Sequence, residues 1–243
     1  AIDYSQQEPR ILTHYASVFG RWKGLPLGGA KEFVDGYTNN PNMDFHTMVA
    51  DMANISRKQA KTINLGMMYG MGVRKLADQL DLEFEEAKEL TQQYHSRVPF
   101  VKELMNGVSR SVDQKDDGSL RSLKGRKCRF DMFEPMGYDI QKAMPFKEAK
   151  ATYGETAPLK RAYTYKALNR LIQASAADMT KQAMVDLYEA GERPLLQVHD
   201  ELGCSVTSAD HAKRIKQVME DAIRLHVPNK CDIDLGPSWG ETE

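Results

Sequence analysis

Two periodicities alternate along the chain. Residues 2–5 read as a short strand, and a helix follows with Pro9 in its first turn, where a missing N–H costs nothing. Residues 20–41 are rich in Gly, Pro and Asn and read as loop. Residues 44–55 space Phe45, Met48, Val49 and Met52 at helical intervals. Ser56 then caps a helix that runs to about Gly70, and Gln59 completes a capping box. Val73–Leu80 and Phe84–Arg97 are amphipathic helices, and Pro99 opens another that reaches Asp113. Asp116-Asp117-Gly118 is a turn, and residues 120–132 alternate as a twisted hairpin around Gly125. Residues 134–157 read as irregular. Residues 159–190 read as one long helix with apolar positions at Leu168, Leu171, Ile172, Ala176, Met179 and Ala183. Residues 195–206 read as strand–turn–strand, and residues 210–225 as a last amphipathic helix. Strands at both ends flank a helical middle. The pattern predicts an α+β chain whose sheet is assembled from distant segments around a helical insertion.

Composition changes this picture little. The chain has 243 residues, enough for one large domain or two small ones, with ordinary globular proportions of apolar (41%) and charged (28%) residues. Its net charge of −1 does not advertise nucleic-acid binding, but the charge is segregated. Residues 119–130 carry Arg121, Lys124, Arg126, Lys127 and Arg129 and no acid, whereas the tail carries Asp232, Asp234, Glu241 and Glu243. That arrangement suits a protein with phosphates on one face and metals on another, and equally suits solvated charge scattered at random. Three widely spaced cysteines, Cys128, Cys204 and Cys231, suggest neither a disulfide framework nor a zinc site and fit a reducing, cytoplasmic compartment. No apolar run approaches the ~20 residues of a membrane span. The chain opens at Ala1 inside a strand-like motif, which predicts that the native protein extends upstream.

Three constellations carry candidate chemistry. In residues 195–206 the tip of an apolar hairpin is His199-Asp200, followed by Glu201, where Asn-Gly would be the low-energy choice. A carboxylate in a tight turn between two buried strands is rigidly placed, as metal binding requires, although a merely solvated tip has the same composition. Asp3, in the first strand, is a second such carboxylate, and two at adjacent strand ends could hold a pair of ions ~3.5–4 Å apart. In the helix from Ser56, Arg57, Lys61, Leu65 and Tyr69 recur every four residues and share one face. That stripe could hold a triphosphate at its cationic end and stack a base at the other. It also fits a surface helix that buries Leu65 and Tyr69.

Residues 3–10, Asp-Tyr-Ser-Gln-Gln-Glu-Pro-Arg, resemble the first palm motif of family A DNA polymerases, the group of bacterial DNA polymerase I and podovirus-type phage replicases. Arg57-xxx-Lys61-xxx-Leu65-Gly66-xx-Tyr69-Gly70 resembles their fingers helix, and Gln197-Val198-His199-Asp200-Glu201-Leu202 their second palm motif. Asp44-Phe45-His46, Tyr94-xx-Arg97-x-Pro99, Leu123-x-Gly125-Arg126 and Ala167-Leu168-Asn169-xxx-Gln173 resemble segments between them. Three motifs in order, with intervening matches, cover essentially the whole chain.

The resemblance implies a right-hand polymerase palm, a small antiparallel sheet with packing helices, interrupted by a mainly helical fingers subdomain. Palm would take residues 1–42 and 158–243 and fingers 43–157, with a thumb and any exonuclease domain upstream. It implies template-directed DNA synthesis by two-metal nucleotidyl transfer from a dNTP to a primer 3′-hydroxyl, in a phage-type replicase of a bacterial or phage-infected cell. Asp3 and Asp200 would be the catalytic carboxylates and, with the Tyr4 carbonyl, the ligands of two Mg²⁺, for which Mn²⁺ can substitute. Gln6, Glu8, His46, Arg57, Lys61, Leu65 and Tyr69 would meet the dNTP, with Glu8 placed to exclude a ribose 2′-hydroxyl. Arg126, Asn169, Gln173, Gln197, His199 and Glu201 would meet primer–template DNA. Implied partners are DNA, dNTPs, the upstream part of the same polymerase and a processivity factor.

Departures from the family pattern are Leu65 in place of Phe or Tyr, Gln7 and Pro9 in place of aliphatics, and Tyr165 where a basic residue is frequent. Three other readings compete. A single-subunit RNA polymerase is opposed by Glu8. A non-catalytic nucleic-acid-binding remnant has no need of both Asp3 and Asp200. A two-metal nuclease has no need of the Arg57–Tyr69 stripe.

Overall fold

A strand of three residues organises the sheet. In β1 (Ile2–Tyr4) the pleat sends Ile2 and Tyr4, each 3% exposed, into the core and turns Asp3 to the opposite face. The computed structural model describes residues 1–22, 27–137 and 142–242. After β1 come α1 (Gln7–Trp22), α2 (Ala30–Asn39), α3 (Phe45–Ala53) and α4 (Arg57–Met68). They lead to α5 (Val73–Leu80), α6 (Phe84–Arg97) and α7 (Pro99–Asp113). A hairpin of β2 (Ser119–Arg121) and β3 (Lys127–Arg129) precedes β4 (Met132–Pro135), β5 (Met144–Pro145), α8 (Phe146–Tyr153) and β6 (Leu159–Arg161). The chain closes with α9 (Ala167–Glu189), β7 (Pro194–Val198), β8 (Glu201–Cys204), α10 (Ala209–Asp221) and β9 (Cys231–Ile233).

The main sheet is antiparallel in the order β7-β8-β1-β9. Directly paired residues point to the same face. Ile2 lies opposite Leu202 and Ile233, and Asp3 opposite Glu201 and Asp232. One face is therefore apolar and the other carries three acids. α10 packs against β9, and α9 packs against β7, α1, α7 and α10. All six expected core positions of α9, from Leu168 to Ala183, are buried. Phe45 and Val49 of α3 are fully buried, while Met48 and Met52 lie half-buried at the edge of the same core. The Ser56–Gln59 capping box closes the start of α4 as expected, and Pro99 takes the first turn of α7.

Four expectations are corrected. Residues 30–39, read as loop, form α2, because Ala30, Phe33 and Tyr37 recur at helical spacing and bury one face behind Gly29 at φ 78°; residues 23–26 of that expected loop lie outside the description. The stretch 134–157 is not irregular throughout: β4 runs into it, and β5 and α8 lie within it, while residues 138–141 are outside the description. The long helix begins at Ala167 rather than at 159, since Leu159–Arg161 pairs with β4 and Tyr163 turns the chain at φ 63°. Arg161 decides this locally, with its guanidinium 4.9 Å over the Phe133 ring and bonded to the carbonyls of Phe130, Lys115 and Asp116. Finally, the hairpin of residues 195–206 does not join two buried strands. β8 is buried at Leu202, but β7 is the sheet edge, with Leu195 71% exposed. No helix among the described residues is long and apolar enough to cross a membrane.

Candidate active site

The two-residue turn His199-Asp200 brings the end of β7 back onto β8, with His199 at φ 58°. That positive φ lies in the left-handed region, for which glycine is the usual choice. Asp200 sits beside Asp3, and Glu201 directly opposite it. Asp3 is the electrostatic centre of the group. Burial pushes its carboxyl above the usual range, and the charges of Asp232, Asp200, Asp234 and Glu201 push it further. Asp232 answers differently: burial raises it, but hydrogen bonds from Lys230 (2.6 Å to Oδ1) and Ser5 outweigh that and leave its carboxyl low. The Trp239 indole N–H donates to Glu201 Oε1 at 2.6 Å, which fixes that carboxylate from the far end of the chain. Asp232, Asp234 and Trp239 were not among the expected site residues; the acidic tail was the available signal.

Tyr4 turns its ring into the core, where the hydroxyl donates to the Met219 carbonyl at 2.6 Å and burial drives its pKa upward. Any contact it makes to a bound ion is therefore through the backbone. A cleft of about 400 Å³ is lined by Tyr4, Gln6, Gln7, Glu8, Pro9, Tyr69, His199 and Asp200, so it joins the end of β1 and the start of α1 to the β7–β8 turn and the end of α4. Across it the Tyr69 hydroxyl donates to Glu8 Oε2 at 2.8 Å. Burial first, then the Glu8 carboxylate, push the Tyr69 phenol up to about 12, with nearby Gln173 opposing. An adjoining cavity is lined by Glu8, Gln173, Gln197 and His199 beside α9 residues. Three of the six expected DNA contacts thus meet beside the cleft.

Gln6 is placed at the cleft, but its side chain is already engaged. Its Oε1 accepts from the Phe45 N–H (2.8 Å) and the Tyr37 hydroxyl (3.2 Å), and its Nε2 donates to the Met43 carbonyl (3.0 Å). This couples β1 to the start of α3. His46, Arg57 and Lys61 converge separately. Burial pulls the His46 pKa down, Asp44 opposes, and the Arg57 and Lys61 cations lower it further. The His46 Nδ1 lies 3.0 Å from Asn64 Nδ2. Arg57 is held by Asp44, with Nε at 3.1 Å and Nη2 at 2.5 Å from Oδ2, while Asp44 also caps α3. Leu65 is half-buried against the core, one turn beyond exposed Lys61. None of these four lines the cleft, and neither do Asn169 and Arg126; Arg126 sits apart on the β2–β3 hairpin.

Among the described residues no three His, Cys, Asp or Glu side chains close into a ready-made metal cage. The donor set still fits a hard cation. Its ligands are all oxygen, its negative charge is uncompensated at Asp3, and Mg²⁺ takes one or two carboxylates with water and substrate phosphate completing the shell.

A comparison with known proteins matches this arrangement to its relatives. A DNA-directed DNA polymerase of Pseudomonas phage M6 is 35% identical over 99% of this chain and 38% of its own length. DNA polymerase I of Geobacillus stearothermophilus is 31% identical over 98% of this chain and 25% of its own. The chain thus spans about a quarter to two fifths of these curated relatives. Among solved structures, the polymerase domain of Pol1 from M. smegmatis, in complex with primer–template DNA and dNTP, superposes with a TM-score of 0.72 at 28% identity, covering 98% of this chain and 39% of that one. The model of DNA polymerase family A matches residues 1–241, with both palm motifs and the fingers tyrosine meeting at one cleft, and the chain belongs to that family.

Proposed function

We propose that this chain holds the nucleotidyl-transfer centre of a template-directed DNA polymerase, with palm at residues 1–42 and 158–243 and fingers at 43–157. The observation that carries the reading is the convergence of Asp200, Glu8 and Tyr69 around one cleft, with Asp3 close enough to Asp200 for the two charges to act on each other. Asp3 and Asp200 are the ligands of two Mg²⁺, with the Tyr4 carbonyl as a third donor and Mn²⁺ as a substitute. Bound there, the ions would lower the pKa of the primer 3′-hydroxyl and steady the pyrophosphate leaving group. The chain's own residues do the rest. Arg57, Lys61 and His46 neutralise the triphosphate, and for Arg57 this means exchanging Asp44 for phosphate oxygens. Gln173, Gln197, His199 and Asn169 contact the primer–template end. Asp232, directly across from Asp3, keeps the local field negative and favours cation entry. A thumb outside this chain and a processivity factor are proposed to grip the duplex, in the DNA-containing interior of a bacterial or phage-infected cell. The test is primer extension with single dNTPs on defined templates. Addition of the complementary nucleotide alone, dependent on divalent cation, is expected; no addition by the chain or by a longer polypeptide containing it overturns the reading.

Sugar selection follows from the Glu8–Tyr69 bond, which holds the Glu8 carboxylate against the cleft wall. Glu8→Ala is expected to raise ribonucleotide use relative to deoxyribonucleotide on the order of tenfold or more, the scale of a removed steric block. Tyr69→Phe releases the same carboxylate and should move the ratio in the same direction, by less. An unmoved ratio in both variants would make Glu8 a structural acid near the start of α1.

Leu65 offers no flat face and no hydroxyl. Discrimination against dideoxynucleotides is therefore expected. Leu65→Tyr should relax it by about tenfold or more, because a phenol can hydrogen-bond where the 3′-hydroxyl is missing. Leu65→Phe should speed addition, since stacking on a ring contributes ~1–3 kcal/mol per base. Single-turnover incorporation of both nucleotides measures each ratio. If Leu65→Tyr leaves it unchanged, the side chain does not meet the sugar.

A further inference from the structure

The β2–β3 hairpin is the most basic segment of the chain, yet it is too short to hold its own shape. Its tip is a tight turn in which the Gly125 N–H donates to the Ser122 carbonyl at 2.9 Å and Gly125 takes φ 78°. Of its cations, Arg121 is tied back to the Gly125 carbonyl (2.8 Å) and Lys127 to Asp117 (3.0 Å). Lys124 and Arg126 stand exposed at the tip.

Both are anchored by one residue of the long helix. Asp178, on α9, is 1% exposed. Its Oδ2 accepts the Lys124 backbone N–H at 3.0 Å. Its Oδ1 lies 2.7 Å from Arg126 Nη2, an ion-pair distance without the alignment of a hydrogen bond. The Arg126 side chain remains 51% exposed, so one end of the guanidinium is pinned and its other N–H groups face outward. A carboxylate buried to this degree is costly unless paired, and pairing it with an arginine at a loop tip fixes both the loop and the direction of the arginine.

We infer that Asp178 is a positioning residue for DNA binding: through Lys124 N–H and Arg126 it locks the hairpin tip so that a pre-oriented guanidinium meets a backbone phosphate of the primer–template duplex. This deepens the polymerase reading and rests on it. A phosphate contact carries no sequence information, so its signature is in the salt dependence of binding.

The experiment is anisotropy titration of a labelled primer–template duplex with the 243-residue chain between about 50 and 200 mM salt. Asp178→Asn is close to isosteric and keeps an acceptor for Lys124 N–H. It should weaken binding by roughly fivefold and lower the salt slope by about one. Arg126→Gln should do the same, and the double variant should be no weaker than either single. Arg126→Lys keeps the charge and loses the fixed fork, and should also weaken binding; because it changes only an exposed side chain, it serves if Asp178→Asn melts too low to compare. Unchanged affinity and slope in Asp178→Asn, or in Arg126→Lys, overturns the inference, as does an Asp178→Asn loss of equal size in the Arg126→Gln background. A duplex that binds the unaltered chain and shows no Asp178 effect removes this inference alone, whereas a chain that binds no duplex removes it together with the DNA-directed reading.

Discussion

Asp3→Ala and Asp200→Ala are each expected to reduce nucleotide addition by about 10³-fold or more, since a two-metal centre that loses a ligand forfeits several kcal/mol of transition-state stabilisation. The fold should survive. Asp3 lies on the open face of the sheet, and burial and four neighbouring acids push its carboxyl upward. A carboxyl whose pKa is raised by folding weakens the folded state as pH climbs from the ordinary carboxylate range through the raised value; below that range the effect is absent. Asp3→Asn removes the penalty. Its unfolding temperature in metal-free buffer at neutral pH should therefore equal or exceed that of the unaltered chain, with the difference vanishing in acid. Added Mg²⁺ should stabilise the unaltered chain more than either variant. Near-normal primer extension by Asp3→Ala or Asp200→Ala would remove the metal assignment, and a clear drop in stability of Asp3→Asn at neutral pH would show that the carboxylate is held by partners the sheet does not display.

The second large effect concerns stability. Arg10→Ala is expected to cost about 3–5 kcal/mol, and about 10 °C or more in unfolding temperature. Arg10 is 2% exposed. Its guanidinium donates to the carbonyls of Ser5 (2.8 Å), Pro228 (2.6 Å) and Pro41 (2.6 Å) and lies 4.5 Å over the Tyr37 ring. One planar group therefore ties the exit of β1, the loop before α3 and the approach to β9. Alanine would leave three carbonyls without their charged donor. Arg10→Lys should recover little, because a single ammonium cannot serve three directions at once. Thermal unfolding followed by circular dichroism measures both. An Arg10→Ala loss below about 1 kcal/mol, or full recovery by lysine, would mean that water replaces the fork.

Much of the local structure was legible in the residues. Helical spacing of apolar residues, the Ser56–Gln59 box and Pro99 all act within one or two turns of chain, and α3, α4, α5, α6 and α7 lie where those signals put them. The four-residue spacing puts Arg57, Lys61 and Leu65 within α4 and Tyr69 at its C-cap, and the motif order carried the family. Local signals failed where a distant partner outweighed them. Arg161 and the pairing with β4 turned the expected first helical turns before Ala167 into a strand. β9, three residues long, exists because β1 lies beside it. β7 kept its apolar residues exposed because no further strand among the described residues covers that edge.

The site divides in the same way. Asp3, Asp200, Glu8 and Tyr69 are candidates that the chain alone offers, because each stands in a short motif that resembles the family's, while the local chemistry of each also fits a solvated or core residue. That Asp3 and Asp200 come together is a property of the sheet: the antiparallel pairing of β1 with β8 sets Asp3 against Glu201 with Asp200 one residue away, across almost 200 residues of intervening sequence. The burial and partners of Arg10 and Asp178 had no local signature, and Asp232 had only the acidic tail, because an acid or arginine reads as solvated charge until its neighbours are known. Sequence by itself determined which side chains could perform the chemistry. Tertiary structure decided which charges are buried, which are paired and which stand next to one another, because charge interactions depend on distance through space and on exclusion of water, neither of which is written along the chain.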